Sequence, residues 1–475
     1  MPQDQANAVF VLGILALLSL VPWTVALRRA HAHGDWDATS SLVFLTGVLA
    51  NLPTVVYVLH TGRPQRLDPL GEVVIGFPQW VNALGVAANG LLVVACGVFL
   101  LHRLLVARAD INTAPLVALA LVVLVALSDG LRGGQLLAPR QLVLIAVLLA
   151  ATAARPGRSA LLGGAAVVML ITVLGGVEGL AEPRSVVREC RADNPCGPLG
   201  VLYSGVFTNE NIFGLLLVVG LPFVWLGLRG SVRAVLTCYV AFVAVATGSR
   251  LAGATAVAVV AFLLVLRPRL RHVADRSAAS RTSGSPGALL LGVPVLAAAA
   301  AVGLALPFLH LGVDRLGDRA TVWGMAAQEL RESPFIGFGA KAWSAKYQAG
   351  EIPAALSPSL HNQWMDVLYA GGLAGLALFL LLLVHLLVRG GTAGFSAAAC
   401  LLLPVLLASV LERPWSFGIS NSLTFALLTA VLAPVAARRG VHEVAPGSAS
   451  SPADVPARTP RRSPAATATD HSALR

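Results

Sequence analysis

Thirteen apolar runs, each 15 to 25 residues long and carrying at most one charge, follow one another along this chain. An α-helix needs about 20 such residues to cross a bilayer, and fewer suffice in packed bundles. Helices also satisfy their own backbone hydrogen bonds, which lipid cannot do for them. The runs lie near residues 7–27, 41–60, 80–101, 114–128, 139–154, 159–179, 212–228, 233–247, 250–266, 287–309, 364–388, 395–411 and 418–436. The expectation is an all-α polytopic membrane protein of about 12–13 transmembrane helices. The short runs near 114, 139, 233 and 250 are open to being tilted, re-entrant or fused with a neighbour. Composition agrees: 56% of residues are hydrophobic and only 12% charged, against roughly 25% in soluble domains.

The net charge of +11 is read first as a topology signal rather than as affinity for nucleic acid. The basic segments LRRAHAHGD (27–35), HRLLVARAD (102–110), RPGR (155–158), RGSVR (229–233), RPRLRHVADRSAASR (267–281) and ARR (437–439) all fall on one side of a thirteen-span chain. That side is the cytoplasmic one by the positive-inside rule. The start MPQDQAN then lies outside, and the first span lacks the basic flank of a cleavable signal peptide. Outside with it fall 61–79, 180–211 and 310–363. The expected organisation is N-terminal spans (1–179), central spans with an outer loop (180–309), a large extracytoplasmic loop with short helices (310–363), C-terminal spans (364–436) and a Pro/Ser/Thr-rich disordered cytoplasmic tail (437–475). Of 34 basic residues only Lys341 and Lys346 are lysine, which looks like a bias toward GC-rich codons.

Cys96, Cys238 and Cys400 sit within spans and read as buried small apolar residues. Cys190 and Cys196 flank RADNP in an outer loop, where oxidation is permitted, so a short-loop disulfide is expected, a free pair being the alternative. No close spacing of ligating residues suggests a metal site.

The polar residues that invite chemistry lie in YSGVFTNENIFG (203–214), ATGSRLAG (246–253) and the loop from VDRLGDRATVWGMAAQELRESPFIGFG (313–339) to SLHNQW (359–364). Within that loop, apolar residues at 322, 323, 326, 327 and 330 mark a helix that packs on the bundle, Trp323 among them. Asp318 is its expected N-cap, Pro334 its end, and Gly337 and Gly339 a tight turn. Arg250, at the outer start of a span, either snorkels to lipid phosphates or grips a phosphate with its bidentate fork. Arg319 is either a surface charge or a ligand group, since a cation at a helix N-terminus opposes the dipole. His361 either caps a helix or uses a neutral imidazole to take a proton from a sugar hydroxyl. Asn362 and Trp364 either orient that ring and stack on sugar, or serve as helix entry and interfacial anchor. Asn209 and Asn211 read as helix-entry residues; Asp366, just inside a span, is the costlier placement.

The ordered set GVFTNENIFG, TGSR, DRATVW, SPFIGFG and LHNQWMDVLYAGGLAGLALFL resembles the O-antigen ligase and polymerase superfamily over about residues 200–390. The resemblance implies a C-type, all-helical glycosyltransferase fold without metal or other cofactor. It implies transfer of a glycan from a polyprenyl-pyrophosphate carrier to a polysaccharide, lipid or protein acceptor at the outer face of the cytoplasmic membrane, with inversion. Arg250 and Arg319 match arginines that hold the pyrophosphate, and His361 matches the histidine before the late span. The family's Asn-Pro-Asn becomes Asn209, Glu210, Asn211, which makes Glu210 an additional carboxylate. The high-GC coding bias fits a bacterial source in which a lipid A core acceptor is not presumed. The competing function is a transporter of a small anion or solute, which outward arginines at helix boundaries would also suit.

Overall fold

The apolar runs form helices almost throughout the computed structural model, which describes residues 2–62, 77–106, 111–188, 190, 195–267, 286–309, 319–353 and 356–433. Ten helices come first: α1 (Gln3–Ala32), α2 (Ala38–Thr61), α3 (Gln79–Leu105), α4 (Thr113–Leu131), α5 (Pro139–Thr152), α6 (Arg158–Ala181), α7 (Glu210–Gly227), α8 (Ser231–Ala246), α9 (Arg250–Leu266) and α10 (Pro286–Ala305). Two short helices follow, α11 (Arg319–Glu329) and α12 (Ala342–Gln348), then α13 (Gln363–Val388), α14 (Gly391–Ala408) and α15 (Thr424–Val431). Between α6 and α7 a two-residue strand pair, β1 (Val187–Arg188) and β2 (Leu202–Tyr203), runs antiparallel with Val187 opposite Tyr203. Among the described residues eight helices are long and apolar enough to cross a membrane, and α5, α8, α9 and residues 394–408 are shorter apolar helices. This is an all-α, multi-pass membrane protein.

Side-chain caps set several helix starts. Asp37 accepts from the backbone N–H groups of Thr39 and Ser40 and closes a capping box with Ser40. Asn209, Ser249 and Asn362 cap α7, α9 and α13 in the same way. The centre of the bundle is α6 with α7, the most deeply buried of the span-length helices. α6 is rich in glycine, and Gly163 lies so close to the Ser40 carbonyl oxygen that no side chain fits between them. Small residues let helix backbones approach closely in lipid, where packing replaces the hydrophobic drive.

The loops sort into two ends. At one, Arg229 pairs with Asp35 at 2.6 Å, Arg158 donates to the Gly227 and Leu228 carbonyls, and Arg103 donates to Ala153. Arg389 donates to the Ala430 and Val431 carbonyls at the same end. The described parts of the basic loops thus converge, as the thirteen-crossing count requires. Segment 268–281, Asp318 and the tail from 437 lie outside the described residues. At the opposite end lie the β1–β2 hairpin, the α8–α9 turn, residues 319–362 and the segment after α14. Gln5 of α1 donates to the Gly200 carbonyl there.

The expected last span at 418–436 is corrected. Among its described residues only the eight of Thr424–Val431 are helical, and 409–423 are not. The Asn421 side-chain oxygen accepts from Leu423 N–H, an Asx turn that holds the chain out of helix until α15 begins. The non-helical stretch is enclosed by protein: Ser420 N–H donates to Arg140 and Asn51 Nδ2 to Ser422. Cys238 is also corrected; it faces outward from α8, whereas Cys96 and Cys400 are buried.

A second interruption lies in α13. Gly372 has φ 61° and ψ −160°, a conformation open in practice to glycine alone, and breaks the ladder. The 333–339 loop takes over its bonds. Leu373 and Ala374 donate to Pro334 and Phe335 at 2.8 and 3.1 Å, and Phe338 and Gly339 donate to Tyr369 and Ala370 at 2.8 and 2.9 Å. A Cβ on Gly372 would overlap the Phe335 backbone, whereas one on Gly371 would make ordinary contact with Val125. Gly372→Ala should therefore cost about 3 kcal/mol or more and Gly371→Ala under about 1 kcal/mol. Thermal unfolding of the two variants in the same detergent checks the difference.

Candidate functional site

The SLHNQW stretch is where the loop end of the bundle is tied together. Asn362 is fully buried; its carbonyl oxygen accepts from Met365 N–H, and its amide donates to Gly303 and Val410 at 3.0 and 2.9 Å. Gln363 N–H donates to Ser409, and its side-chain oxygen accepts from Trp415 N–H at 2.9 Å. Trp364 donates from Nε1 to Ser409 Oγ at 2.8 Å and packs edge-on against Phe379. Asn362 thus neither orients the histidine nor faces a ligand, and Trp364 is neither a sugar platform nor a lipid anchor. Their polar atoms are used to fasten α13 to α10 and α14.

His361 alone of this group turns outward. It adopts φ 45°, the left-handed region uncommon for a side-chain-bearing residue. Its Nδ1 lies 3.1 Å from Glu412 Oε2, and the other oxygen of that carboxylate lies 3.4 Å from Arg319 Nη2. The Glu412 side chain is 17% exposed, against 30% and 32% for its partners. α11 supplies two contacts from one face: Arg319 reaches Glu412, and Trp323, one turn on, donates from Nε1 to the Leu360 carbonyl at 2.6 Å. The residue before His361 is thereby pinned.

Arg250 stands exposed at the first turn of α9, capped by Ser249. Among the described residues it has no acidic partner. Its turn is braced from beneath: Tyr203 N–H donates to Thr247 at 3.0 Å, and Gly248, at φ 78°, packs against Val201 and Gly197. The bracing residues follow the Cys190–Cys196 disulfide directly in the chain. α14 packs against α9 and runs opposite to it. Arg250 and Glu412 therefore emerge at the same end, although no direct contact joins Arg250 to His361 or Arg319.

The remaining sequence candidates find partners of their own. Asn209 accepts from Asn211 N–H at 2.7 Å, and the buried Glu210 pairs with Arg188 at 2.9 Å. Glu210 so links α7 to the hairpin. Asp366 pairs with Arg413 at 2.8 Å, on the part of α13 that precedes the break. Among the described residues no three His, Cys, Asp or Glu side chains converge as metal ligands do. The residue that sequence reasoning missed is Glu412. The signal was present in VLERPW, a Glu-Arg pair immediately after an apolar run, where a charge is expensive unless it has work or a partner.

Residues 234–380 match a known protein family, O-antigen ligase. The matched stretch runs from α8 into the second part of α13 and contains Arg250, Arg319, His361 and Asp366; Glu412 and residues 209–211 lie beyond it. No curated protein matches the chain.

Glu210 and Arg188 make a test of fold rather than of chemistry. Removing the arginine takes away the cation that faces the buried Glu210 carboxylate, at a cost of up to roughly 3 kcal/mol. Arg188→Ala should lower the unfolding midpoint in detergent by several degrees, measured beside an exposed-arginine control such as Arg331→Ala.

Proposed function

We propose, on the premise that residues 234–380 belong to the O-antigen ligase family, that this protein transfers glycan in polysaccharide biosynthesis. The donor is a polyprenyl-pyrophosphate-linked glycan, the acceptor a hydroxyl, and the site faces the outer side of the cytoplasmic membrane. The observation that carries this reading is the Glu412 carboxylate shared between His361 Nδ1 and Arg319.

With Nδ1–H donated to Glu412, the lone pair of His361 sits on Nε2, ready to accept a proton. The acceptor O–H gives that proton to Nε2 as its oxygen attacks the anomeric carbon. The new O–C1 bond forms as the C1–O bond to the pyrophosphate breaks, and the electron pair leaves with the polyprenyl pyrophosphate. A single displacement inverts the anomeric centre. Glu412 stabilises the imidazolium that results.

Arg250 and Arg319 hold the pyrophosphate and offset the charge that develops on it, the part a divalent cation plays in other transferases. Arg250 suits this because its guanidinium is exposed and unpaired by acid among the described residues. Arg319 suits it because the Glu412 contact is long and leaves most of its five N–H donors free. Their order of action is binding first, then charge stabilisation.

The test uses protein in nanodiscs with a labelled polyprenyl-pyrophosphate oligosaccharide, envelope acceptors and chelator. His361→Ala should lower transfer by roughly 10²–10⁴-fold. Glu412→Gln should lower kcat while leaving the donor KM nearly unchanged, and Arg250→Ala or Arg319→Ala should abolish transfer without loss of membrane insertion. Undiminished transfer by His361→Ala, or full activity in both arginine variants, overturns the scheme.

A further inference from the structure

A cavity of about 320 Å³ with mixed polar and apolar walls lies beside the His361 loop, and neither His361, Arg319 nor Arg250 is among its walls. Its walls come from the 339–344 turn, Pro358–Leu360, the start of α13 and the non-helical segment after α14. Its volume is that of a small-molecule site.

Three observations bear on its occupant. Glu412 and Arg413 are consecutive, yet Glu412 turns to His361 while Arg413 turns to Asp366 on the cavity wall. The cavity walls Leu360 and Arg413 are thus the chain neighbours of His361 and Glu412. Second, Lys341 lines the cavity and makes no ion pair among the described residues, whereas Lys346 is held by Glu329 at 2.8 Å. Asp129, behind Lys341, is engaged instead by the Gln141 amide and by the Lys341 backbone N–H. In a chain whose other 32 basic residues are arginine, a lysine here runs against the prevailing bias. Arg413 is balanced by Asp366, and Lys341, which Asp129 attracts without forming an ion pair, is the cavity's cation without a close counter-charge. Third, Ser344, Ser416 and Asn421 are polar walls that keep hydrogen-bonding capacity beyond their local bonds to Lys341, Ile419 and Leu423. A hydroxyl-rich ligand with one negative group matches this set.

We infer that the cavity is the acceptor subsite and that it takes a saccharide bearing a carboxylate or phosphate, whose charge pairs with Lys341. The inference rests on the glycan-transfer reading for the word acceptor, but binding itself does not require transfer. Lys341 acts by selection and not on the reacting bond.

The experiment measures binding without donor, on full-length protein in nanodiscs. The probes are a glucuronate-containing tetrasaccharide, a phosphate-substituted oligosaccharide and a neutral tetrasaccharide of similar size. A charge-assisted bond predicts that at least one charged probe binds roughly tenfold tighter than the neutral one, and the tighter of the two identifies the source of the charge. Lys341→Gln should erase that preference and Lys341→Arg should keep most of it. Arg331→Ala, an exposed position outside the cavity walls, should bind all probes as the unaltered protein does; because no donor is present and no transfer is read, a failure of the catalytic scheme leaves this result readable. Equal affinity for charged and neutral probes, no measurable affinity for any, or a preference that survives Lys341→Gln overturns the assignment.

Discussion

A chain in lipid must satisfy its backbone hydrogen bonds within itself, and the structure departs from regular helix only where other protein groups assume that duty. In α13 the break at Gly372 is repaired by the carbonyls and N–H groups of the 333–339 loop. After α14, the non-helical 409–423 segment is enclosed between α2, α5 and α13. Both departures occur at the end opposite the basic loops, and they place Glu412 and Arg413 beside the polar threshold of α13. Without the repair at Gly372, the 333–339 turn would have no dock.

The charges at that end form a connected set. Arg319, Glu412 and His361 share one carboxylate, and the next residue, Arg413, meets Asp366. Glu412 restrains the imidazole through Nδ1, while Trp323 and Asn362 hold the backbone on either side of it. The left-handed backbone at His361 is the local cost of turning this one side chain outward while its neighbours turn in. On the other side of the same end, residues 197–203, which follow the disulfide, brace the α8–α9 turn that carries Arg250.

Much of the fold was legible because its signal is one-dimensional. Length, apolarity and the distribution of arginine predicted the helical class and the sorting of loops, and the described parts of the basic loops do converge on one end. The readings that failed involved partners remote in sequence. Trp364 looked like an interfacial or sugar-facing aromatic until Ser409 was found opposite its indole N–H. Asn362 looked like a neighbour for His361 until Gly303 and Val410 were found to claim its amide. The last span looked like the others because hydropathy averages over Gly418 and Asn421, whereas the backbone does not.

By itself the sequence determined that the chain is a multi-pass helical membrane protein with its polar loops divided between two ends. It also carried the motifs of the O-antigen ligase family, because hydropathy, charge and local order are properties of contiguous residues. Only the tertiary structure decided that Glu412, 51 positions beyond His361, is the group held between His361 and Arg319. It alone gathered the cavity that Lys341 and Arg413 line. Those relations depend on where a broken helix and a buried non-helical segment bring distant residues together, and no local pattern encodes that meeting.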